Sequence, residues 1–144
     1  MPTVRKSVIV QHPASAMFDL VDGVERYPEF LPWCAGAAVI ERTPAVTEAR
    51  VEVDFHGLRS AFTTRNSKES PEWMHLAFVE GPFERFQGHW RFVALGESGC
   101  RVEFALDYGF DSRALDTLLG PVFGHILETL VERFVQRADE VMQP

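Results

Sequence analysis

The side chains of this 144-residue chain that could do proton, nucleophile or metal chemistry are five histidines, two cysteines and 21 carboxylates. Their spacing decides what chemistry is open to them. His12, His56, His75, His89 and His125 fall one to a predicted element, and none joins another His or a Glu in the helical i, i+4 pattern that holds a metal. Cys34 and Cys100 form no C-x-x-C and no Cys/His cluster, so they read as reduced, partly buried thiols. There is no G-x-S-x-G elbow, no phosphate-cradling glycine loop and no EF-hand loop. The expectation is therefore no catalytic residue and no metal ligand. One route to proton chemistry stays open, an inward-facing acid such as Glu80 or Asp107.

Apolar bulk, not reactive groups, is what the chain has in quantity, with twelve Phe and three Trp. Its densest stretch is VERYPEFLPWCAG, Val24 to Gly36. Pro28 and Pro32 push the preceding Tyr27 and Leu31 toward extended backbone, which predicts a short helix followed by a stiff loop. Two roles suit such a segment. Phe30, Leu31 and Trp33 either cap one end of an apolar cavity or plug the core, with the Tyr27 hydroxyl turned to solvent or to a backbone carbonyl.

The elements around it follow from periodicity. Residues 3 to 11, rich in Val and Ile, read as a strand ended by Pro13, which is well placed as the first residue of a short helix closed by Gly23. About seventy residues of period-two pattern then indicate an antiparallel meander. Val51, Val53 and Phe55 oppose Arg50, Glu52 and Asp54; Cys100, Val102, Phe104, Leu106, Tyr108 and Phe110 oppose Arg101, Glu103 and Asp107. Met74, Leu76 and Phe78 share one strand face, and Phe86, Trp90 and Phe92 share another. From Ser112 to Met142 the stripe Leu115, Leu119, Val122, Ile126, Leu130, Phe134, Ala138 and Val141 marks a helix, with a kink or restart expected at Gly120-Pro121. A one-sided sheet must be covered, and this helix is the cover. The predicted architecture is α+β: a helix-grip domain over residues 1–144, with a curved antiparallel sheet of about seven strands around one long C-terminal helix and two short helices between strands 1 and 2.

The formal charge of −7 opposes approach to phosphate-rich surfaces, and Arg5-Lys6 is the one dense basic pair, so DNA is not an expected partner. No apolar run approaches a membrane span, and MPTVRKSVIVQ lacks the signature of a secretory signal or transit peptide. A cytoplasmic protein is expected.

Two motifs carry a family resemblance. Tyr27-Pro28-Glu29-Phe30-Leu31-Pro32-Trp33-Cys34, together with GPFERFQGHWRF from Gly81 to Phe92, resembles the coenzyme-Q-binding and ribosome-association-toxin branch of the START-like (polyketide cyclase/dehydrase, SRPBCC) superfamily, with Phe86 where Leu is more usual. The likeness extends through CRVEFALDYGF and the helix after it. It implies a helix-grip fold with an apolar tunnel for a lipid-like ligand. In one branch that ligand is a ubiquinone-type isoprenoid quinone, bound without catalysis in support of respiratory electron transfer. In the other the partner is the large ribosomal subunit, whose joining to the small one is blocked. Superfamily membership also leaves a cyclase or dehydratase activity open. The tunnel reading assigns Tyr27, Phe30, Leu31, Trp33, Phe55, Phe62, Phe78, Phe86, Trp90, Phe92, Leu106, Tyr108, Phe123 and Leu127 to the cavity wall or its gate. It implies no covalent cofactor, a bound ubiquinone or other lipid, and transient contact with the inner-membrane surface.

Overall fold

Where the chain alternates, it forms strands, and where the period changes to 3.6 it forms helices. The computed structural model describes residues 3–142. Strand β1 (Thr3–Val10) leads into α1 (Ala14–Asp22), then a 3₁₀ helix (Val24–Glu29). The meander follows as β2 (Cys34–Arg42), β3 (Val46–Phe55), β4 (Leu58–Glu69), β5 (Trp73–Glu80), β6 (Phe83–Ala94) and β7 (Cys100–Phe110), and α2 (Arg113–Val141) completes the fold. All seven strands form one antiparallel sheet in the order β1-β7-β6-β5-β4-β3-β2.

That order explains the aromatic segment. β1 and β2 lie at opposite edges, so residues 11–33 must cross the full width of the sheet between them. The crossing chain closes one end of the grip. Register shifts at Cys34/Gly36, Val39/Glu41, Thr63/Thr64 and Phe83/Arg85 add the twist that curves the sheet over α2. Close packing within the sheet accounts for one motif glycine: a Cβ on Gly88 would lie 2.8 Å from the Ala105 carbonyl oxygen. The β3–β4 turn rests on His56 and Gly57, both at positive φ (52° and 85°), the type I′ geometry that suits a two-residue hairpin.

The helix differs from its sequence expectation. α2 runs unbroken through Pro121, beginning at an Ser112 cap whose Oγ accepts from the Leu115 N–H at 3.1 Å. Pro121 costs one backbone hydrogen bond and its ring lies on the exposed side, while the next residues, Val122 and Phe123, are buried. The buried residues of α2 all follow the proline, while before it Leu115 and Leu119 are half-buried against the core. With Ile126, Leu127, Val131, Phe134 and Ala138, Val122 and Phe123 lay a stripe on the concave face. By length and composition alone α2 is also long and apolar enough to cross a membrane, with its apolar stripe laid against the concave face of the sheet. At the start of α1, Pro13 is the extended residue before the helix rather than its first turn, and Gly23 ends it at φ −79°.

Candidate functional site

Between the concave face and α2 lies a cavity of about 90 Å³. The sheet supplies Ala49, Val51, Phe62, Thr64, Asn66, Met74, Leu76, Phe86, Trp90, Phe104 and Leu106. Helix α2 contributes Phe123, Ile126, Leu127, Leu130 and Phe134, and the crossing chain Val21, Val24, Tyr27 and Trp33. A smaller void of about 20 Å³ lies beyond, lined by Val53, Ser60, Pro82, Phe83, Phe110, Leu119 and Val122. The two share Phe62, Phe123 and Ile126, so these side chains form the partition along one apolar column under the helix.

Eight of the sequence-derived residues line the cavity: Tyr27, Trp33, Phe62, Phe86, Trp90, Leu106, Phe123 and Leu127. The other six lie elsewhere. Leu31 is 1% exposed and belongs to the core, and Phe92 packs under α1 with its ring edge-on to Phe18 at 5.6 Å. Tyr108 faces inward against Phe123 at 4.9 Å, in the cluster around Phe83. Phe78 packs on Phe83 and Phe86, and Phe55 sits at the β3 turn beside His125. Phe30 lies on α2, edge-on to Phe134 at 5.3 Å with the Arg137 guanidinium over its ring at 5.2 Å.

The crossing segment is fastened at several points. Tyr27 donates its hydroxyl to the Val21 carbonyl, and burial pushes its pKa well above the ordinary phenol value, so it stays a neutral donor. The Leu31 N–H bonds back to the Tyr27 carbonyl at 2.9 Å. Glu29 accepts from Arg137 at 2.6 Å, tying the segment to α2, and the Trp33 carbonyl accepts from the Asp54 N–H at 2.9 Å, tying it to β3. The indole of Trp33 is thereby held at the cavity wall. Next to it, burial raises the Cys34 thiol to about 11, so it stays protonated and unreactive.

Sequence reasoning missed the inner face of β4. Thr64, Asn66 and Lys68 all point inward and are buried, yet their neighbours Arg65, Ser67 and Glu69 are polar too, so hydrophobic alternation gives no signal there. Lys68 is countered by Asp22 at the end of α1, Nζ to Oδ2 at 2.8 Å, and the Thr47 hydroxyl donates to Asp22 Oδ1 at 2.7 Å. Arg42 donates to the Asp22 carbonyl and to Glu25, both at 2.8 Å. This network lies beside the cavity, next to its wall residues Val21 and Asn66. Asn66 sits one inward position before Lys68, in register with Thr47 and Leu76, and its Oδ1 has no partner. Trp33 Nε1 has none either.

The candidates for proton chemistry do not converge on this cavity. Glu80 is exposed at the end of β5, and Asp107 lies on the outer face of β7, paired with Arg85 at 3.2 Å, so neither faces inward. His75 and His89 are register partners on the outer face, ring centroids 6.1 Å apart, a juxtaposition that sequence spacing does not reveal. Among the described residues no three His, Cys, Asp or Glu side chains gather as a metal site, and both cysteines are free and buried.

Residues 10–135 match the family described as polyketide cyclase / dehydrase and lipid transport. The ribosome association toxin RatA of Escherichia coli K12 is 37% identical over 141 residues, spanning 98% of this chain and 89% of that protein. The mitochondrial coenzyme Q-binding protein coq10 of Schizosaccharomyces pombe is 26% identical over 93% of this chain and 85% of its own length. Among solved structures, a START superfamily protein from Mycobacterium smegmatis superposes with a TM-score of 0.80 at 21% identity, covering 96% of this chain and 98% of that one. The helix-grip, START-like architecture is thus shared.

Proposed function

The chain belongs to the polyketide cyclase / dehydrase and lipid transport family, and we propose that it is a binding protein, holding an elongated apolar ligand of the isoprenoid-quinone class without turning it over. The observation that carries this reading is the apolar column beneath α2, two voids in line with aromatic and aliphatic walls. The larger void, about 90 Å³, is smaller than the roughly 150 Å³ that admits a benzene ring. A quinone ring therefore enters by displacing side chains. Met74, unbranched, and the half-buried Leu76 and Leu130 are the wall residues with most freedom to move. A protein of this kind would serve respiratory electron transfer from the cytoplasm, touching the inner-membrane surface to exchange its ligand.

The test is organic-solvent extraction of the purified protein followed by mass spectrometry for isoprenoid quinones. A co-purifying quinone is the expected result. A protein that is empty and also ignores added quinone would overturn the reading.

A second reading is favoured by a different observation, the 37% identity across nearly the whole chain to a protein named for ribosome association. On that reading the chain binds the large ribosomal subunit and blocks subunit joining. Sucrose-gradient sedimentation with dissociated subunits tests it: co-migration with the large subunit supports it, and unaltered reassociation with no co-migration removes it.

A further inference from the structure

The outer face of the sheet, turned away from the cavity, carries a groove of about 550 Å³. Its shape comes from the strand register. Across the middle of that face Ser67 on β4, His75 on β5, His89 on β6, Ala105 on β7 and Arg5 on β1 stand each opposite the next. The small side chains of Ser67 and Ala105, with Ala77 at the next outward position of β5, leave the two imidazoles among low neighbours. The His75 and His89 ring centroids are 6.1 Å apart, and the Trp73 ring lies against His75 at 4.6 Å. Among the described residues His12 is the only histidine with a side-chain hydrogen bond, to Asp139, so the ring nitrogens of the outer pair are uncommitted.

A metal ion binds an imidazole nitrogen at about 2.0 Å, which puts the ring centroid about 3.2 Å from the ion; two rings on one ion then have centroids about 4.5 Å apart at a right angle and about 6.4 Å apart when opposed. The observed 6.1 Å lies inside that span, and a closure of about 1 Å gives the tetrahedral angle. We propose that His75 and His89 form a two-histidine chelate for a divalent transition metal, Cu(II) before Ni(II) or Zn(II). Imidazole suits these ions and not Mg(II), and Cu(II) heads the affinity order. The surrounding charges decide what completes the site. Asp107, on the groove wall, is paired with Arg85 at 3.2 Å, and Arg91 lies 4.0 Å from Glu103, which moderates its repulsion of the ion. Arg5 has no acid partner among the described residues. The remaining coordination positions therefore go to water or to an anionic oxygen ligand, whose charge Arg5 balances from the same groove. The site is on the opposite face of the sheet from the cavity, so it does not depend on the ligand reading above.

The test titrates the untagged full-length protein with Cu(II), Ni(II), Zn(II) and Mg(II) chlorides at about pH 7.5, where imidazole is free to coordinate. Cu(II) beside the Trp73–His75 contact should quench Trp73 fluorescence saturably, with a Kd well below about 1 mM, and Trp73→Phe should remove that quenching. Zn(II) should shift the NMR ring protons of His75 and His89 together and leave those of His12, His56 and His125 in place. Mg(II) should do neither. His75→Gln or His89→Gln takes away one of the two ligands, and each should weaken Cu(II) binding at least tenfold. His75 is exposed, so His75→Gln should keep the melting temperature, and the test stands on that variant if His89→Gln fails to fold. Cu(II) affinity retained within about twofold by either folded variant would reduce the site to a lone histidine or place the ion elsewhere, and overturns the proposal. Absence of both the quenching and the Zn(II) shifts at about 1 mM metal overturns it as well.

Discussion

If the void beneath α2 is a binding site, filling it from within should strengthen the fold and abolish uptake. Ala49 is the residue for this, since its buried side chain lines the cavity from the middle of β3, in register with Val39 and Thr64. Empty volume costs about 24 cal/mol per Å³, so a void of about 90 Å³ forfeits about 2 kcal/mol. Ala49→Val adds two carbons, worth about 1.6 kcal/mol at about 0.8 kcal/mol per buried CH₂, just inside that ceiling. The substitution also suits a strand, so no backbone penalty offsets the gain. The expected outcome is a melting temperature higher by about 3–6 °C, together with at least a tenfold loss of propylbenzene affinity. Thermal denaturation and NMR titration on the same preparation measure the two quantities. A loss of stability beyond about 1 kcal/mol would mean that the wall at Ala49 is already closed and the substitution overpacks it. A gain in stability with unchanged uptake would refute the assignment of ligand to this cavity.

Other expectations concern the groups that frame the cavity. Asp22→Asn leaves the Lys68 ammonium, whose side chain is 6% exposed, without its counter-charge; the cost should be about 3 kcal/mol, or roughly 6–12 °C in melting temperature, and Lys68→Met in the same background should restore most of it. A cost below about 1 kcal/mol would show that Lys68 reaches water. Gly88→Ala forces a Cβ to within 2.8 Å of the Ala105 carbonyl, and urea denaturation should register a loss of about 1–3 kcal/mol. His89 has its pKa held below the usual 6.5 by burial first, then by the nearby His75, Arg5 and Arg91. Its neutral form is therefore favoured in the fold, the unfolded chain binds the extra proton, and stability should fall as pH drops below about 6.5. His89→Gln should flatten that part of the stability profile, and an unchanged slope between about pH 7 and pH 5 would contradict the assignment.

The sheet and long helix could be read from the sequence because their patterns are one-sided. β3 and β7 alternate cleanly, and the α2 stripe steps by three and four over its whole length. The crossing loop was readable only in outline: its prolines indicated a short helix and a stiff turn, but Tyr27 stays in the 3₁₀ helix with Pro28 instead of becoming extended, and of Phe30, Leu31 and Trp33 only Trp33 lines the cavity, directions set by tertiary packing. The continuity of α2 at Pro121 was not readable, because a lost hydrogen bond is a local effect and the burial that outweighs it is tertiary. Nor was the polar wall of β4. Lys68 is buried against Asp22 from α1, while Thr64 and Asn66 face the cavity under α2, and no window of sequence contains those partners. The His75–His89 pairing is invisible for the same reason, since it depends on the β5–β6 register.

The two functional readings draw on different parts of the molecule, so they can be separated. Ligand binding uses the interior, whereas association with a ribosome uses a surface. On the outer face of β6 and β7 the cations are largely paired with acids: Arg85 with Asp107 at 3.2 Å, Arg101 with Glu103 at 3.6 Å, and Arg91 with the same glutamate at 4.0 Å. With a formal charge of −7, such a face has little to offer RNA phosphates, so a ribosomal contact there would be made with protein. Ala49→Val changes no surface atom of this kind. If it blocks uptake of apolar probes and leaves sedimentation with ribosomal subunits as it was, the two activities are independent properties of one fold. If both are lost together, occupancy of the cavity sets the shape of the surface, and the ligand becomes a regulator of association rather than a cargo.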